Sequence, residues 1–340
     1  MDHHLIADTQ GRGYWIFDDL STLHQFDEVR QHGMPFLFTP RATRRIAGGW
    51  REKPNHMGTN PLSGVAFYYL LDEELDGEVE VQLEILEADG VVIRSFTRKP
   101  SDDPKNEEGG DEDAKNSKLL ETEVGMNCFR WDLAYAGAKK FKGMVLWNGG
   151  LDGPRAIPGQ YRARLTVGDW SQEVPFEILA DPRSSASGED YEAQFQFLLS
   201  VREKITQVHE AIESIRRTNG ELDALTKRLE HDEGVATVVE AAKALKESLT
   251  AVEEALYQTK MRSRQDPLNY PFRVNDKLAG LLAVAGFGDN RPTQQSCEVR
   301  DALITIIDVA LAKIDGIRDG ELASFNALAR TNEVPAVTLN

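Results

Sequence analysis

The sequence predicts an α+β protein of two domains, an immunoglobulin- or fibronectin-like β-sandwich followed by an antiparallel α-helical bundle. The chain has 340 residues, which is enough for about two domains of roughly 150 residues, each with its own core. Apolar residues recur at every second position as far as about residue 181, which indicates strands. From about residue 189 they recur at every third or fourth position, which indicates helices.

The predicted sandwich covers residues 60–181 and is based on alternating segments. Between residues 78 and 85 every second residue is aliphatic and the others are glutamate or glutamine, so one face is buried and the other is solvated. Asp89-Gly90 then predicts a hairpin turn. Further strands are predicted from apolar or alternating segments at 65–70, 91–96, 129–133, 161–167 and 174–178. About seven short strands between turns are typical of a sandwich, and the acidic insertion at 100–118 is expected to be a mobile loop.

The predicted bundle covers residues 189–333. Its first helix carries a one-sided apolar stripe formed by Leu198, Val201, Ile205, Val208, Ile212 and Ile215. Asn219-Gly220 is the expected end of this helix, and a second stripe runs through 235–256. Two or three more helices follow, and Thr293 is a candidate N-cap. Helices with one apolar side bury it best against each other, which favours a bundle.

The first 40 residues belong to neither predicted domain. Residues 5–9 and 13–17 are expected to form two strands around a turn at 10–12, which predicts a β-hairpin. A lone two-stranded hairpin is only marginally stable in water. We therefore expect this hairpin to need another sheet, and to present an exposed apolar patch or a strand edge.

The charge balance argues against several classes of partner. The chain has 39 basic and 56 acidic residues, a net charge of −17, whereas nucleic acids and anionic membranes are bound by basic residues. No apolar run approaches the roughly 20 residues of a membrane-spanning helix, so we expect no membrane insertion. Residues 1–8 lack the basic and apolar regions of a signal peptide. Cys128 and Cys297 fall in different predicted domains, which gives no disulfide framework.

No motif in the sequence indicates a catalytic residue, a cofactor or a metal site. None of the seven histidines has zinc-site spacing, and His209, beside the first helical stripe, is expected at the surface or its boundary. Acidic residues at 111–113 resemble a calcium loop, but Lys115 occupies the third ligand position. The carboxylate pair of a glycoside hydrolase stays open as an alternative, because carboxyl groups that meet in space need no fixed sequence spacing.

Tryptophans are the remaining candidates for ligand binding. Of the five tryptophans, Trp131 alternates with core positions and is predicted to be buried. Trp50, Trp147 and Trp170 are less constrained, and flat aromatic rings of this kind can form a sugar-stacking platform. These three residues are the candidate ligand-binding residues.

Several segments taken in order resemble one known family. Residues 11–20 resemble the final blade strand of large secreted bacterial propeller proteins that carry sortilin-like or BNR-type repeats and are often labelled glycosyl hydrolase. Other segments are similar to motifs of the immunoglobulin-like domain and the helical region that follow this propeller, at 129–133, 153–161, 181–183, 265–271 and 289–293. The resemblance spans nearly the whole chain, while the propeller repeats themselves are missing.

The resemblance implies a function without catalysis in this chain. Residues 1–40 would be the remnant of the propeller's final strands plus a linker. The chain would then be an accessory or interaction module whose partner is a β-propeller domain in cis or in trans, or another protein. The alternative is a part of a secreted glycoside hydrolase or carbohydrate-binding protein, with a glycan as ligand and the active site outside this chain. The family implies a secreted or periplasmic location.

Overall fold

The computed structural model describes residues 5–11, 13–17, 19–46, 63–76, 78–98, 119–231 and 233–334. Within them the protein is α+β, as predicted, with sheets followed by a helical C-terminal region. Its residues divide into two compact units. The strand unit consists of Met1–Ala136 and Pro154–Phe195, and the helical unit consists of Gly137–Gly153 and Gln196–Asn340. The insertion at 100–118 lies outside the described residues.

The strands lie before residue 180 and the long helices after it. The described strands are β1 (Leu5–Thr9), β2 (Gly13–Phe17), β3 (Phe36–Leu37), β4 (Thr43–Arg44), β5 (Val65–Leu71), β6 (Val81–Glu87), β7 (Val92–Thr97), β8 (Gly125–Trp131), β9 (Gly159–Val167) and β10 (Trp170–Leu179). The described α-helices are α1 (Phe26–His32), α2 (Gly188–Arg228), α3 (Ala236–Leu256), α4 (Val274–Ala285), α5 (Gln294–Ile317) and α6 (Ala323–Thr331). A π-helical turn, Arg318–Leu322, joins α5 to α6.

Two sheets of the strand unit contribute to one apolar core. The five-stranded sheet has the order β4-β10-β9-β6-β7, and the three-stranded sheet has the order β3-β5-β8. Neighbouring strands are antiparallel except β4 and β10. The rings of Phe67 in β5 and Phe176 in β10 lie 5.3 Å apart, edge to face, in this core. Trp131 is buried there, which confirms its predicted position.

The alternating sequence pattern explains the pairing of β6 with β9. Leu83 lies opposite Leu165, and both are buried. The adjacent pair, Glu84 and Arg164, points to the other face and forms an ion pair at 3.2 Å. The predicted turn after β6 is also present, with Gly90 at φ +97°, a conformation that glycine adopts without strain.

Residues 36–44 join the strand unit, whereas the sequence predicts that the first 40 residues lie outside both domains. β3 pairs with β5, and β4 pairs with β10. The side chain of Gln172 in β10 also binds the backbone of β3. Its Oε1 accepts the N–H of Leu37 at 2.8 Å, and its Nε2 donates to the Leu37 carbonyl at 3.2 Å. Phe36 and Phe38 are buried beside α1. Two-residue strands are too short to show a period in the sequence.

Helix α2 continues through Asn219-Gly220, so the predicted helix end at this pair is wrong. The apolar stripe continues at seven-residue spacing, with Leu222 and, directly after the helix, Leu229 both buried. A glycine inside a helix costs about 1 kcal/mol relative to alanine. Burying one leucine stabilises by about 1.5–3 kcal/mol, so the continued stripe outweighs the glycine.

The long helices pack around a second core. Each of α2, α3, α4 and α5 contributes side chains with no exposed surface: Val208, Val238, Leu278 and Ile307. Helix α5 begins as predicted, because the Oγ1 of Thr293 accepts the N–H of Ser296 at 3.1 Å. No helix of the described part of the chain combines the length and apolar character needed to cross a membrane.

The loop between β8 and β9 belongs to the helical unit from Gly137 to Gly153. We call residues 137–153 the clamp segment. Its Ala138, Phe141 and Leu151 are buried in the same apolar cluster as the helices. The range predicted for the sandwich, 60–181, includes this segment. Its apolar residues follow neither the strand nor the helix period, and their partners occur later in the chain, so the sequence pattern does not assign it to the helical unit.

Candidate functional site

The predicted N-terminal hairpin is present. β1 pairs with β2 in antiparallel register, with Leu5 opposite Phe17 and Ala7 opposite Trp15. The turn contains Gly11 at φ +83°, a left-handed conformation that most other residues adopt only with strain. We call β1 and β2 together the N-terminal hairpin.

One face of the N-terminal hairpin is apolar and exposed. Side chains that lie opposite each other or two positions apart share a face of a sheet, so Leu5, Ala7, Trp15 and Phe17 form one surface. Leu5 is 57%, Trp15 64% and Phe17 50% exposed. Among the described strands, β1 and β2 pair only with each other. The hairpin therefore presents both an apolar face and strand edges, as the sequence predicts.

The two candidate tryptophans that the structure describes have different surroundings. Trp147 lies in the clamp segment of the helical unit, 48% exposed, with its ring stacked on Phe272 at 5.3 Å between ring centres. Trp170 begins β10 in the strand unit and is half-buried against the strand core. The two residues thus belong to different units, and Trp50 lies outside the described residues.

A buried carboxylate holds the backbone beneath Trp147. Asp276 lies in the first turn of α4 and is buried. Its Oδ2 accepts the N–H of Trp147 at 2.9 Å, and its Oδ1 accepts the N–H of Asn148 at 2.7 Å. A buried charge is stable only when hydrogen-bonded in this way, so Asp276 fixes the position of the clamp segment.

A buried histidine holds the start of the clamp segment. His209 in α2 has no exposed surface, so its predicted position at the surface or boundary is wrong. Its Nδ1 bonds to the carbonyl of Lys139, and its Nε2 lies 3.4 Å from the side-chain Nδ2 of Asn275. These partners fit the neutral tautomer that carries its proton on Nδ1. Burial lowers the pKa of His209 to about 4, so the ring is neutral at pH 7.

An arginine makes the third attachment of the clamp segment. The Nε of Arg216 in α2 donates to the Oε1 of Glu253 at 2.7 Å, and its Nη1 donates to the carbonyl of Lys142 at 3.1 Å. The guanidinium carbon lies 4.6 Å from the ring centre of Phe141, a cation–π distance. Because Glu253 is buried, Arg216 also neutralises a carboxylate inside the helical unit.

Two glycines allow the clamp segment to approach α4 closely. A Cβ atom on Gly149 would lie 2.3 Å from the carbonyl carbon of Ala279. A Cβ atom on Gly280 would lie 2.2 Å from the Nδ2 of Asn148. Both distances are far below van der Waals contact, so neither position accepts a side chain without movement of its neighbours.

The polar groups of this cluster are directed at backbone atoms. His209, Arg216 and Asp276 each bind main-chain groups of the clamp segment. Among the described residues, no three or more histidine, cysteine, aspartate or glutamate side chains lie close enough to hold a metal ion. The arrangement positions the clamp segment and its exposed Trp147.

The sequence does not reveal this cluster. Asp276 and His209 look like ordinary polar residues of amphipathic helices, and Gly149 belongs to a segment that reads as a simple loop. The one available signal is Gly280, a glycine inside the apolar run 278–285 of α4, which suggests a close approach of another segment.

Comparisons with known proteins add little. No family model matches the chain, and no curated protein matches it. A solved structure titled "pT26-6p" is similar to 81% of this chain and 48% of its own, with 9% sequence identity and a TM-score of 0.17. The chain spans about half the length of that structure.

Proposed function

We propose that this chain is a non-catalytic interaction module that docks through its N-terminal hairpin. The observation that carries the proposal is the exposed face of Leu5, Ala7, Trp15 and Phe17 on a hairpin that pairs with no other described strand. A large apolar side chain stabilises by about 1.5–3 kcal/mol when fully buried. Docking this face would therefore supply the stability that a lone hairpin lacks.

The partner we propose is the sheet of a β-propeller domain, in cis or in trans. A hairpin can extend a sheet through main-chain hydrogen bonds while its side chains fill the core of the partner. Strand β2 of the N-terminal hairpin lies within residues 11–20, the segment that resembles the last strand of such a propeller. A propeller blade that lacks its last strands has the complementary defect, an unpaired edge over an incomplete core.

We also propose the finer fold, an immunoglobulin-like sandwich followed by an antiparallel bundle. The sandwich is supported by two sheets that share one core around Trp131. At the start of β9 the hydroxyl of Tyr161 donates to the carbonyl of Ile157 at 2.8 Å, a bond of the tyrosine-corner type found in immunoglobulin-like domains. The bundle is supported by one apolar core shared by α2 to α6.

Light scattering after size-exclusion chromatography tests the docking. The chain is mixed with a separately expressed propeller domain of the sortilin-like family, and we expect a one-to-one complex. The variant Leu5→Ser/Trp15→Ser should lose the complex. Val91→Ser is the matched control, because Val91 and Leu5 are both 57% exposed. A chain that ignores the propeller, or a hairpin variant that still binds, would contradict the proposal.

Carbohydrate binding in the helical unit is a second candidate function. It is favoured by the exposed Trp147, which is backed by Phe272 and held by Asp276. A rigid aromatic ring with an exposed surface is suited to stacking on a sugar ring. Binding to a broad glycan panel, lost in Trp147→Ala, is the expected result. Absence of binding to every glycan would remove this candidate and leave the docking proposal untouched.

A further inference from the structure

Basic residues are concentrated in two segments of the helical unit. Segments 139–147 and 260–273 contain seven basic residues and one acidic residue, Asp266, in a chain of net charge −17. Six of these bases are exposed: Lys140 and a group of five, namely Lys142, Lys260, Arg262, Arg264 and Arg273. We call these five residues together with Trp147 the basic surface.

The two segments meet in the folded protein. The ring of Trp147 stacks on Phe272, directly before Arg273. The N–H of Val145 donates to the Oη of Tyr257 at 2.9 Å. Burial raises the pKa of Tyr257, and Arg262 is close enough to act in the opposite direction. Arg273 therefore lies beside the clamp segment that carries Trp147, and Arg262 lies near Tyr257, which binds that segment.

The five bases of the basic surface keep their charge available. None of them forms a salt bridge with a carboxylate of the described residues, whereas Lys139 in the same segment binds Glu213 at 2.7 Å. Asp266 is occupied by its own turn: it accepts the N–H and the Oγ–H of Ser263, each at 2.9 Å. The surface is thus a local positive patch in an acidic protein.

The basic surface is held in place before any ligand arrives. Asp276 binds the backbone N–H of Trp147. The turn that carries the arginines is closed at its base, because the Nε2 of Gln258, just after α3, donates at 2.9 Å to the carbonyl of Pro271, just before α4. A site whose groups are already ordered loses little conformational entropy on binding.

We propose that the basic surface binds an acidic polysaccharide, with a pyranose ring stacked on Trp147 and sugar carboxylates paired with the flanking lysines and arginines. Guanidinium groups bind carboxylates through two parallel hydrogen bonds, which gives such contacts both strength and geometry. The inference names the ligand class for the second candidate function and rests on it.

Charge density favours a polysaccharide over a nucleic acid. Duplex DNA carries one charge per about 1.7 Å of its axis. The protein has a net charge of −17, so its surface outside the basic surface would repel the duplex. A polysaccharide with one carboxylate per sugar has a much lower charge density. It can therefore reach the basic surface with less repulsion from the rest of the protein.

Binding titrations with matched polysaccharides test the proposal. Polygalacturonate, alginate and hyaluronate are the acidic probes, and highly methyl-esterified pectin is the neutral counterpart of polygalacturonate. We expect binding of at least one acidic probe, weaker binding at higher salt because screening reduces charge attraction, and little binding of the esterified pectin. Failure of all three acidic probes, or equal binding of esterified pectin, overturns the proposal. Tighter binding of oligo-dT would assign the surface to nucleic acid and overturn it as well.

Variants of the basic surface locate the binding. Trp147→Ala should weaken binding about tenfold, through loss of ring stacking. Arg264→Gln/Arg273→Gln tests the charges separately and keeps the proposal testable if Trp147→Ala does not fold. Phe287→Ala and Lys243→Gln are controls at another exposed ring and another exposed base. Unchanged affinity in the arginine variant, with thermal unfolding unaltered, would show that the surface is not the site.

Discussion

Asp276 and Asn148 are 128 positions apart in the sequence, and the Oδ1 of Asp276 accepts the backbone N–H of Asn148 at 2.7 Å. The same carboxylate accepts the N–H of Trp147. This contact makes a loop between two strands part of the helical core. It also sets the position of the candidate Trp147, which is about half exposed.

The first prediction concerns Asp276. In Asp276→Asn the amide has a single oxygen, so its NH2 group must face one of the two backbone N–H donors of Trp147 and Asn148. Leaving a buried donor unpaired costs about 1–3 kcal/mol, and we expect the free energy of unfolding in urea to fall by about that amount. Asp319→Asn, at an exposed position, is the control. A change below about 0.5 kcal/mol, typical of surface substitutions, would show that the carboxylate does not hold the segment.

The second prediction concerns two glycines with opposite expected effects. A Cβ on Gly149 would overlap the backbone of Ala279, so Gly149→Ala should destabilise by about 1–3 kcal/mol. A Cβ on Gly220, in the exposed interior of α2, meets no atom within 4 Å. Gly220→Ala should therefore stabilise by about 0.5–1 kcal/mol, because alanine is the better helix former. Urea unfolding of both variants measures the change in the free energy of unfolding. A change in the same direction for both variants would argue against the close contact of Gly149 with Ala279.

The third prediction concerns pH. The pKa of His209 is lowered to about 4 in the folded protein, against about 6.5 in an unfolded chain. Between these values the unfolded chain binds the proton and the folded protein does not, so stability decreases as the pH falls through this window. The expected loss is about 3 kcal/mol, from about 1.4 kcal/mol per pKa unit.

Urea unfolding at a series of pH values, for the native chain and for His209→Gln, isolates this contribution. The variant has no titrating ring, so its stability should depend less steeply on pH between about 4 and 6.5. His231→Gln, at an exposed position, should keep the native slope. Parallel curves for the native chain and His209→Gln would show that the buried ring does not resist protonation.

The fourth prediction concerns the proposed tyrosine corner. Tyr161→Phe removes the hydroxyl that donates to Ile157 and leaves a partly buried carbonyl without this donor. We expect a loss of about 1–2 kcal/mol in the free energy of unfolding. Tyr270→Phe, at an exposed position, should have little effect in the same experiment. An effect of Tyr161→Phe no larger than the control would weaken the proposed immunoglobulin-like assignment.

Local features of the fold follow from the sequence. The alternation at 78–85 predicted β6, the apolar segments at 5–9 and 13–17 predicted the N-terminal hairpin, and Thr293 capped α5 as expected. At Asn219-Gly220 the local signal for a helix end is outweighed by packing of the residues that follow. The pair resembles a helix end, but the stripe continues at Leu222, and its burial outweighs the cost of the glycine.

The sequence by itself determined the α+β class, the hairpin and most of the strands and helices, because periodicity is a property of neighbouring residues. Only the tertiary structure decided where residues 137–153 belong and that His209 is buried. Those outcomes depend on the hydrogen bond between the carbonyl of Lys139 and the ring of His209, 70 positions away, and on the close approach of Gly149 to α4. Such contacts form only when elements that are distant in the sequence pack together, so the periodicity of neighbouring residues does not predict them.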